Sequence, residues 1–447
     1  MTETLEQLEA LLDDLNPETR RHALAALLER AKTGQVKLPH RGESFNMHCH
    51  SFFSYNGYGY SPSGLVWRGM KQGLMAMGLV DFDVLDGVAE FEEACRLACM
   101  PCGAGLETRV FVPEFADREI NSPGEPGISY HMGMGFVPGT VAEPAVAASL
   151  RDQARARNER MVERVNTLLD EIALDYAKDV LPLTPTGNAT ERHVCAAYCA
   201  KAEDVYPDPD RRAAFWAAKL GMDAEAVKTG MDDPPGFQGV IRAKTMKRGG
   251  VGYAEAKGED FPTADQVNRF ALANGAIPVF ALLDGTSSGE QCMDELLDVM
   301  QAGGVAAVNI IPDRNWNIKD PGVRQLKVAK LYDFVEKAKA RDLPIFVGTE
   351  MNAHGQRFVD DFAAPEMAPL HGVFMAGAWL LHAHTLLQAR AGMGYLSPWA
   401  ARNFAVTAEK NAFYEAFGRT AATAPSGALG QIGPDLHPAE ALRAVSE

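Results

Sequence analysis

An α/β barrel carrying a helical insertion is the fold class predicted for this chain of 447 residues. Three observations predict it. From Phe45 onward, short apolar runs alternate with amphipathic helical stretches, the sequence form of a parallel α/β sheet or barrel. The length exceeds what a single hydrophobic core usually organises, so one large barrel with an insertion, or two domains, is expected. Histidines and carboxylates recur at the C-terminal ends of the apolar runs, where barrel enzymes keep their chemistry.

Residues 1–43 read as an N-terminal helical hairpin. Leu5, Leu8, Leu11, Leu12, Leu24, Leu27 and Leu28 fall at helical spacing, and Asn16-Pro17-Glu18 supplies a cap, a first-turn proline and a first-turn acid. Such a hairpin packs on the barrel or pairs with a copy of itself, which makes a homo-oligomer an expectation. The first part of the barrel spans 44–141. It contains a strand from Phe45, a helix from Ser61 to Lys71, a strand over Leu74–Val80, a helix over Gly87–Ala98, a strand through Leu106-Glu107 to Val112, and a strand from Ile128 to Met132 after a turn-rich loop. Residues 142–235 are rich in Ala, Arg and Glu without a clear strand, a helical insertion over the barrel mouth. The barrel resumes over 236–420 with strands at Ala276–Leu283, Ala306–Ile311 and Leu343–Val347 separated by helices, then closing helices. Residues 421–447, rich in Ala, Gly and Pro, read as a loosely ordered tail.

Composition excludes several classes. A net charge of −16 argues against a nucleic-acid or anionic-membrane binder, which needs a basic surface. Seven cysteines, several of them within helices, fit a reducing cytoplasm better than a secreted disulfide framework. The acidic start MTETLEQLEALLDDL lacks the basic and apolar regions of a signal peptide. The apolar stretch Leu370–Gln388 holds His371, His382 and His384 and reads as a buried core helix, with no membrane partner.

The chemistry-bearing stretch is Phe45-Asn46-Met47-His48-Cys49-His50-Ser51. In a strand, residues i and i+2 share a face, so His48 and His50 can present two imidazoles to one ion. Asp81-Phe82-Asp83 closes the second strand, Gly105-Leu106-Glu107 lies in the third, His131 in the fourth, and Asn352-Ala353-His354 follows the last. Five motifs in this order resemble the polymerase and histidinol phosphatase (PHP) family, over roughly residues 44–135 and 236–356.

The resemblance implies a distorted (β/α)7 TIM-like barrel, a cluster of up to three divalent metals at the strand ends, and phosphoester hydrolysis. It also exposes missing ligands. The family's T-D-H-D is Val80-Asp81-Phe82-Asp83 here, the ligand position after H-x-H falls on Tyr55, A-H-P has become Ala281-Leu282-Leu283, and D-x-H has become Asn352-Ala353-His354. The retained ligand set is His48, His50 and Glu107, with His131 and Asn352 assisting. One or two ions of Zn, Mn or Fe per chain are expected, with Asp81 and Tyr55 beside them.

Around that site, Arg109, Lys244, Lys247 and Arg314 are candidates for holding an anionic group, and Asp284, Glu350 and His354 for moving protons. Asp284 reads equally as a cap of the helix after it. The spacing of Cys95, Cys99 and Cys102 is that of an iron–sulfur triad, but two of them lie a turn apart on a helix and read as packing. The expected activity is therefore a cytoplasmic metal-dependent hydrolase, a phosphoesterase acting on a small anionic metabolite. The alternatives are a single-metal hydrolase or lyase acting on a carbohydrate or carboxylated metabolite, and a non-catalytic barrel.

Overall fold

A computed structural model describes residues 3–424 and 427–446. Seven strands form one sheet in chain order: β1 (Phe45–Cys49), β2 (Ala76–Phe82), β3 (Cys102–Phe111), β4 (Ile128–Phe136), β5 (Ile277–Leu282), β6 (Ala307–Ile310) and β7 (Ile345–Val347). The sheet curls into a nearly closed, TIM-like barrel. A parallel bridge between Cys49 and Glu350 joins its edges, with His50 N donating to Glu350 O at 2.7 Å and Glu350 N to His48 O at 2.8 Å. The expected parallel sheet needs one correction, because β4 runs antiparallel to both β3 and β5. The connection between β3 and β4 holds only the single 3-10 turn Pro113–Phe115 and no crossover helix, and it returns the chain in the opposite direction.

The seam between β1 and β7 explains why glycine stands at 348. A Cβ there would lie 2.3 Å from His48 N and from Asn46 Oδ1. Asn46 stitches the same seam, donating to Thr349 Oγ1 at 2.8 Å and to Phe358 O at 2.7 Å. Gly348→Ala is expected to cost about 1–3 kcal/mol of stability by pushing β1 outward. Urea denaturation checks it, and an unchanged midpoint would show the seam to be slack.

The N-terminal helices Leu5–Leu11 and Pro17–Lys32 bury Leu8, Leu24 and Leu27 and lean on the first barrel helix, Pro62–Lys71, where Trp67 Nε1 donates to Glu9 at 2.8 Å. The hairpin thus spends its leucines on its own barrel. The helix His371–Ala391 packs in the core, and among the described residues no helix is long and apolar enough to cross a membrane. Within 421–447, expected to be loosely ordered, the helix Pro438–Ser446 buries Ala441 and Val445.

Of the six α-helices between β4 and β5, Ala264–Ala273 packs on the barrel, and the other five form the insertion: Pro144–Asn166, Glu191–Val205, Pro209–Leu220, Ala224–Met231 and Pro234–Thr245. They share an apolar cluster of their own that includes Val165, Val194, Tyr198, Trp216 and Ile241. A separate core lets this unit hold its shape while three of its helices turn polar residues toward the barrel.

Candidate metal centre and its cavity

β1 is buried along its whole length, with His48 on the interior face and His50 continuing that face just beyond the strand. Glu107 arrives from β3, in register with Phe82 on β2. The three side chains meet at one point. His48 Nε2 and His50 Nε2 are 3.2 Å apart, and Glu107 Oε2 is 3.5 Å from the first and 3.2 Å from the second. Donors about 2.0–2.1 Å from a tetrahedral ion stand about 3.3 Å apart, so this spacing fits one shared cation. Glu107 Oε2 is buried and, among the described residues, receives no hydrogen bond. With two imidazole nitrogens converging beside it, this oxygen is suited to hold a cation.

Surrounding groups set the tautomers. His48 Nδ1 lies 3.0 Å from Asn309 Oδ1, an acceptor, so the ring proton sits on Nδ1 and the Nε2 lone pair is free. His50 Nδ1 faces Ser54 Oγ at 3.3 Å. Ser54 gives its only proton to Asp81 Oδ1 at 2.7 Å, which leaves the hydroxyl able only to accept from His50. Asp81 also accepts from Ser51 N and Ser51 Oγ, each at 2.7 Å. Burial pushes the Asp81 carboxyl up, against the pull of His50 and the hydroxyls. Burial likewise works against charge on Glu107, but the two imidazoles outweigh it and hold this carboxyl down at about 2.

The cluster opens into a cavity of about 390 Å³. Of the residues expected at the site, His48, Glu107, Tyr55, Asn352, Glu350, Arg109, Lys247 and Arg314 line it. Burial raises the Tyr55 phenol, whose ring meets His193 edge-on. Glu350 is buried in a left-handed conformation (φ +64°), and Arg314 Nη2 donates to its two oxygens at 2.7 and 2.9 Å. A non-glycine residue in that conformation stores strain, here at the point where the barrel closes on the cavity.

Four of the residues expected at the site lie outside the cluster and the cavity lining. His131 stands across from Thr108 in the β3–β4 register and therefore shares its outward face, while Tyr130, across from Arg109, takes the cavity side. His131 Nε2 meets Asn268 at 2.5 Å and burial drives the imidazole down to about 4, the behaviour of a neutral core histidine. Asp284 folds back on its own turn, accepting from Thr286 N at 2.9 Å, and pairs with Lys327 at 2.7 Å, away from the cavity. His354 is exposed against Tyr58, and Lys244 is exposed on the insertion.

The sequence reading missed Asp83, Tyr130, Asn309 and the insertion's Arg157, Glu191, Arg192 and Arg242, all of which line the cavity. Asp83 was legible, as the second acid of a D-x-D motif at a strand end. It accepts from Thr108 Oγ1 at 2.6 Å in a left-handed backbone conformation (φ +61°). The insertion residues carried no local signal, because which helix face turns inward depends on docking.

Beside the seam, Asp360 is 3% exposed and neither of its oxygens has a hydrogen-bond partner among the described residues. Burial, then the charge of Asp313, pushes its carboxyl up to about 8. An unfolded carboxyl ionises near 3.8, so the folded state holds the extra proton from there to about 8 and stability falls as pH rises through that window. Asp360→Asn is expected to remove this slope and to exceed wild type by about 2 kcal/mol near the alkaline end. Denaturation at about pH 5 and about pH 9 checks it, and parallel curves for the two proteins would contradict it.

No family model matches the chain, and no curated protein matches it. Two solved structures are similar in outline. An amidohydrolase from Chromobacterium violaceum, with bound sulfate and no metal, aligns at TM-score 0.47 and 16% identity, over 75% of this chain and 96% of its own. A protein provisionally named a metal-dependent phosphoesterase, from Bifidobacterium adolescentis, aligns at TM-score 0.45 and 20% identity, over 74% of this chain and 97% of its own.

Proposed function

We propose that this chain is a metal-dependent hydrolase of the PHP type that cleaves phosphoesters of small anionic metabolites, using one ion per chain. The observation that carries the reading is the convergence of His48 Nε2, His50 Nε2 and the unpartnered Glu107 Oε2 on a single point. Among the described residues this is the one cluster of three or more such donors. Phe82 stacks on His50 with ring centroids 4.2 Å apart, and Leu282 lines the cavity wall, so apolar groups fill two places where the family resemblance puts further ligands. With His131 turned outward, a second ion lacks a ligand set.

A divalent ion held there would supply Lewis acidity toward the ester and lower the pKa of water near it. The chain's own groups supply the rest. Cationic side chains take over the charge clamping that extra metals would provide: Arg109 and Arg314 come from the barrel itself. Asn309 Nδ2 is buried, faces the cavity and has no partner, a ready donor to an oxygen on which charge develops. Burial keeps the Tyr55 phenol protonated, which suits it to give Oη–H to a leaving oxygen, and the Glu350 carboxylate, positioned by Arg314, is the acceptor for a proton from the attacking water.

The test is elemental analysis of protein purified without chelator, with turnover of a panel of phosphomonoesters, phosphodiesters, lactones and carboxylic esters. Bound metal with phosphoester turnover supports the proposal. Bound metal with turnover of lactones or carboxylic esters alone would replace it with the single-ion carboxyl chemistry that a one-site centre also allows. Metal-free, inactive protein would sink both.

A further inference from the structure

The insertion brings more positive charge to the cavity than its neighbours neutralise. Arg157 comes from Pro144–Asn166, Arg192 from Glu191–Val205, and Arg242 from Pro234–Thr245 with Lys247 just beyond. Arg109 joins them from β3. Arg242 and Lys247 divide one carboxylate, Glu191, at 2.6 and 2.8 Å. Arg109 is satisfied by Glu125 at 2.8 Å. The other two cations are not satisfied. Arg157 gives one N–H to the backbone oxygen of Asp260 at 3.0 Å, and its Nε is buried with no partner among the described residues. The Arg192 guanidinium, half-buried, has neither a hydrogen bond nor an ion pair among the described residues.

Like charges are also crowded. Arg109 and Arg157 sit over the same Phe261 ring, at 5.0 and 4.6 Å from its centre. Burial, then Arg109, pushes the Arg157 guanidinium down to about 10, and burial, then Arg242, pushes Arg192 down as well. Five cations here face the carboxylates of Glu125, Glu191 and Asp83, in a chain whose net charge is −16. The buried Arg157 N–H without an acceptor is costly, and the unpaired Arg192 guanidinium beside the same cavity is free to bond, so an anion entering the cavity would supply acceptors to both.

We infer that Arg157 and Arg192, with Arg242 and Lys247 behind them, form a second anion subsite on the insertion side of the cavity, so that the substrate is a phosphoester carrying a second, uncleaved phosphate. The inference rests on the proposed function only for which end is cleaved; the subsite itself does not need the metal. Arg192 and Arg157 are then specificity-determining residues.

The first measurement is calorimetric binding of inorganic phosphate to the His48→Ala/His50→Ala variant, in which the metal cluster is absent. Binding is expected to persist there and to weaken roughly ten- to a hundredfold on adding Arg192→Gln or Arg157→Gln. Arg192 is half-buried and unbonded, so its glutamine variant should fold, and its melting curve verifies this. The second measurement compares short alkanediol monophosphates with the corresponding α,ω-bisphosphates on the metal-loaded wild type. Lower KM for the bisphosphate, abolished by Arg192→Gln with kcat retained, supports the subsite. Loss of phosphate binding with the histidines, or indifference to both arginine changes, overturns it. Phosphate binding that depends on the arginines in a protein that hydrolyses no phosphoester would keep the subsite and discard the proposed function. Hydrolysis without preference between mono- and bisphosphates would do the reverse.

Discussion

Exchanging His48 and His50 together for alanine is expected to take the protein from about one tightly held divalent ion per chain to none, and to abolish hydrolysis with it. The two imidazoles supply two of the three donors that meet within 4.8 Å of one another, and a lone carboxylate does not hold a transition ion against water. Stability should follow the ion. An ion present at about a thousand times its dissociation constant stabilises the native state by about 4 kcal/mol, and that increment disappears in the variant. Part of the fall will have another source, because Glu107 stays buried without the imidazoles that hold its carboxyl down at about 2. Chelator-treated wild type separates the two effects. It should melt below the loaded protein and recover on adding metal, whereas the variant should show no response to metal at all. A variant that binds as much metal as wild type would remove His48 and His50 from the centre.

The parts of this site that the sequence made legible are those fixed by local geometry. H-x-H on a strand places two rings on one face whatever surrounds the strand, and a glutamate in the C-terminal half of β3, two strands along, comes to the same end of the barrel. The shared face of His48 and His50 followed from the first rule and the strand-end place of Glu107 from the second, while its role as a ligand came from the family resemblance. His131 did not, because alternation along Ile128–Met132 assigns two faces without saying which one is interior. The register with β3 decides that, and the reversed direction of β4 gave the inner face to Tyr130. Asp284 misled for the opposite reason. It is a turn acid, held by Thr286 two residues on and paired with Lys327 from a later helix, and strand-end position alone cannot distinguish that from an active carboxylate. Arg157, Arg192 and Arg242 lie on helices whose inward face is set by the insertion's own core, which no local sequence pattern records.

The orientation of the ligands leads to the second large effect. Asn309→Leu keeps both ligand imidazoles and nearly the same side-chain volume but removes the oxygen that accepts from His48 Nδ1. The buried Nδ1–H then has no acceptor, and the ring lowers its energy by turning or by moving the proton to Nε2, the atom that must donate to the ion. Ser54→Ala does the same to His50 and takes from Asp81 one of its hydroxyl donors. Each substitution is expected to weaken metal binding roughly ten- to a hundredfold without touching a ligand. Asn309→Asp retains an acceptor at the same place and should stay within severalfold of wild type, which separates ring orientation from packing as the cause. Competition against a chromogenic chelator gives the three affinities directly. If Asn309→Leu bound as tightly as wild type, packing of the barrel core would suffice to aim His48, and the hydrogen bond to Asn309 would be incidental to the centre.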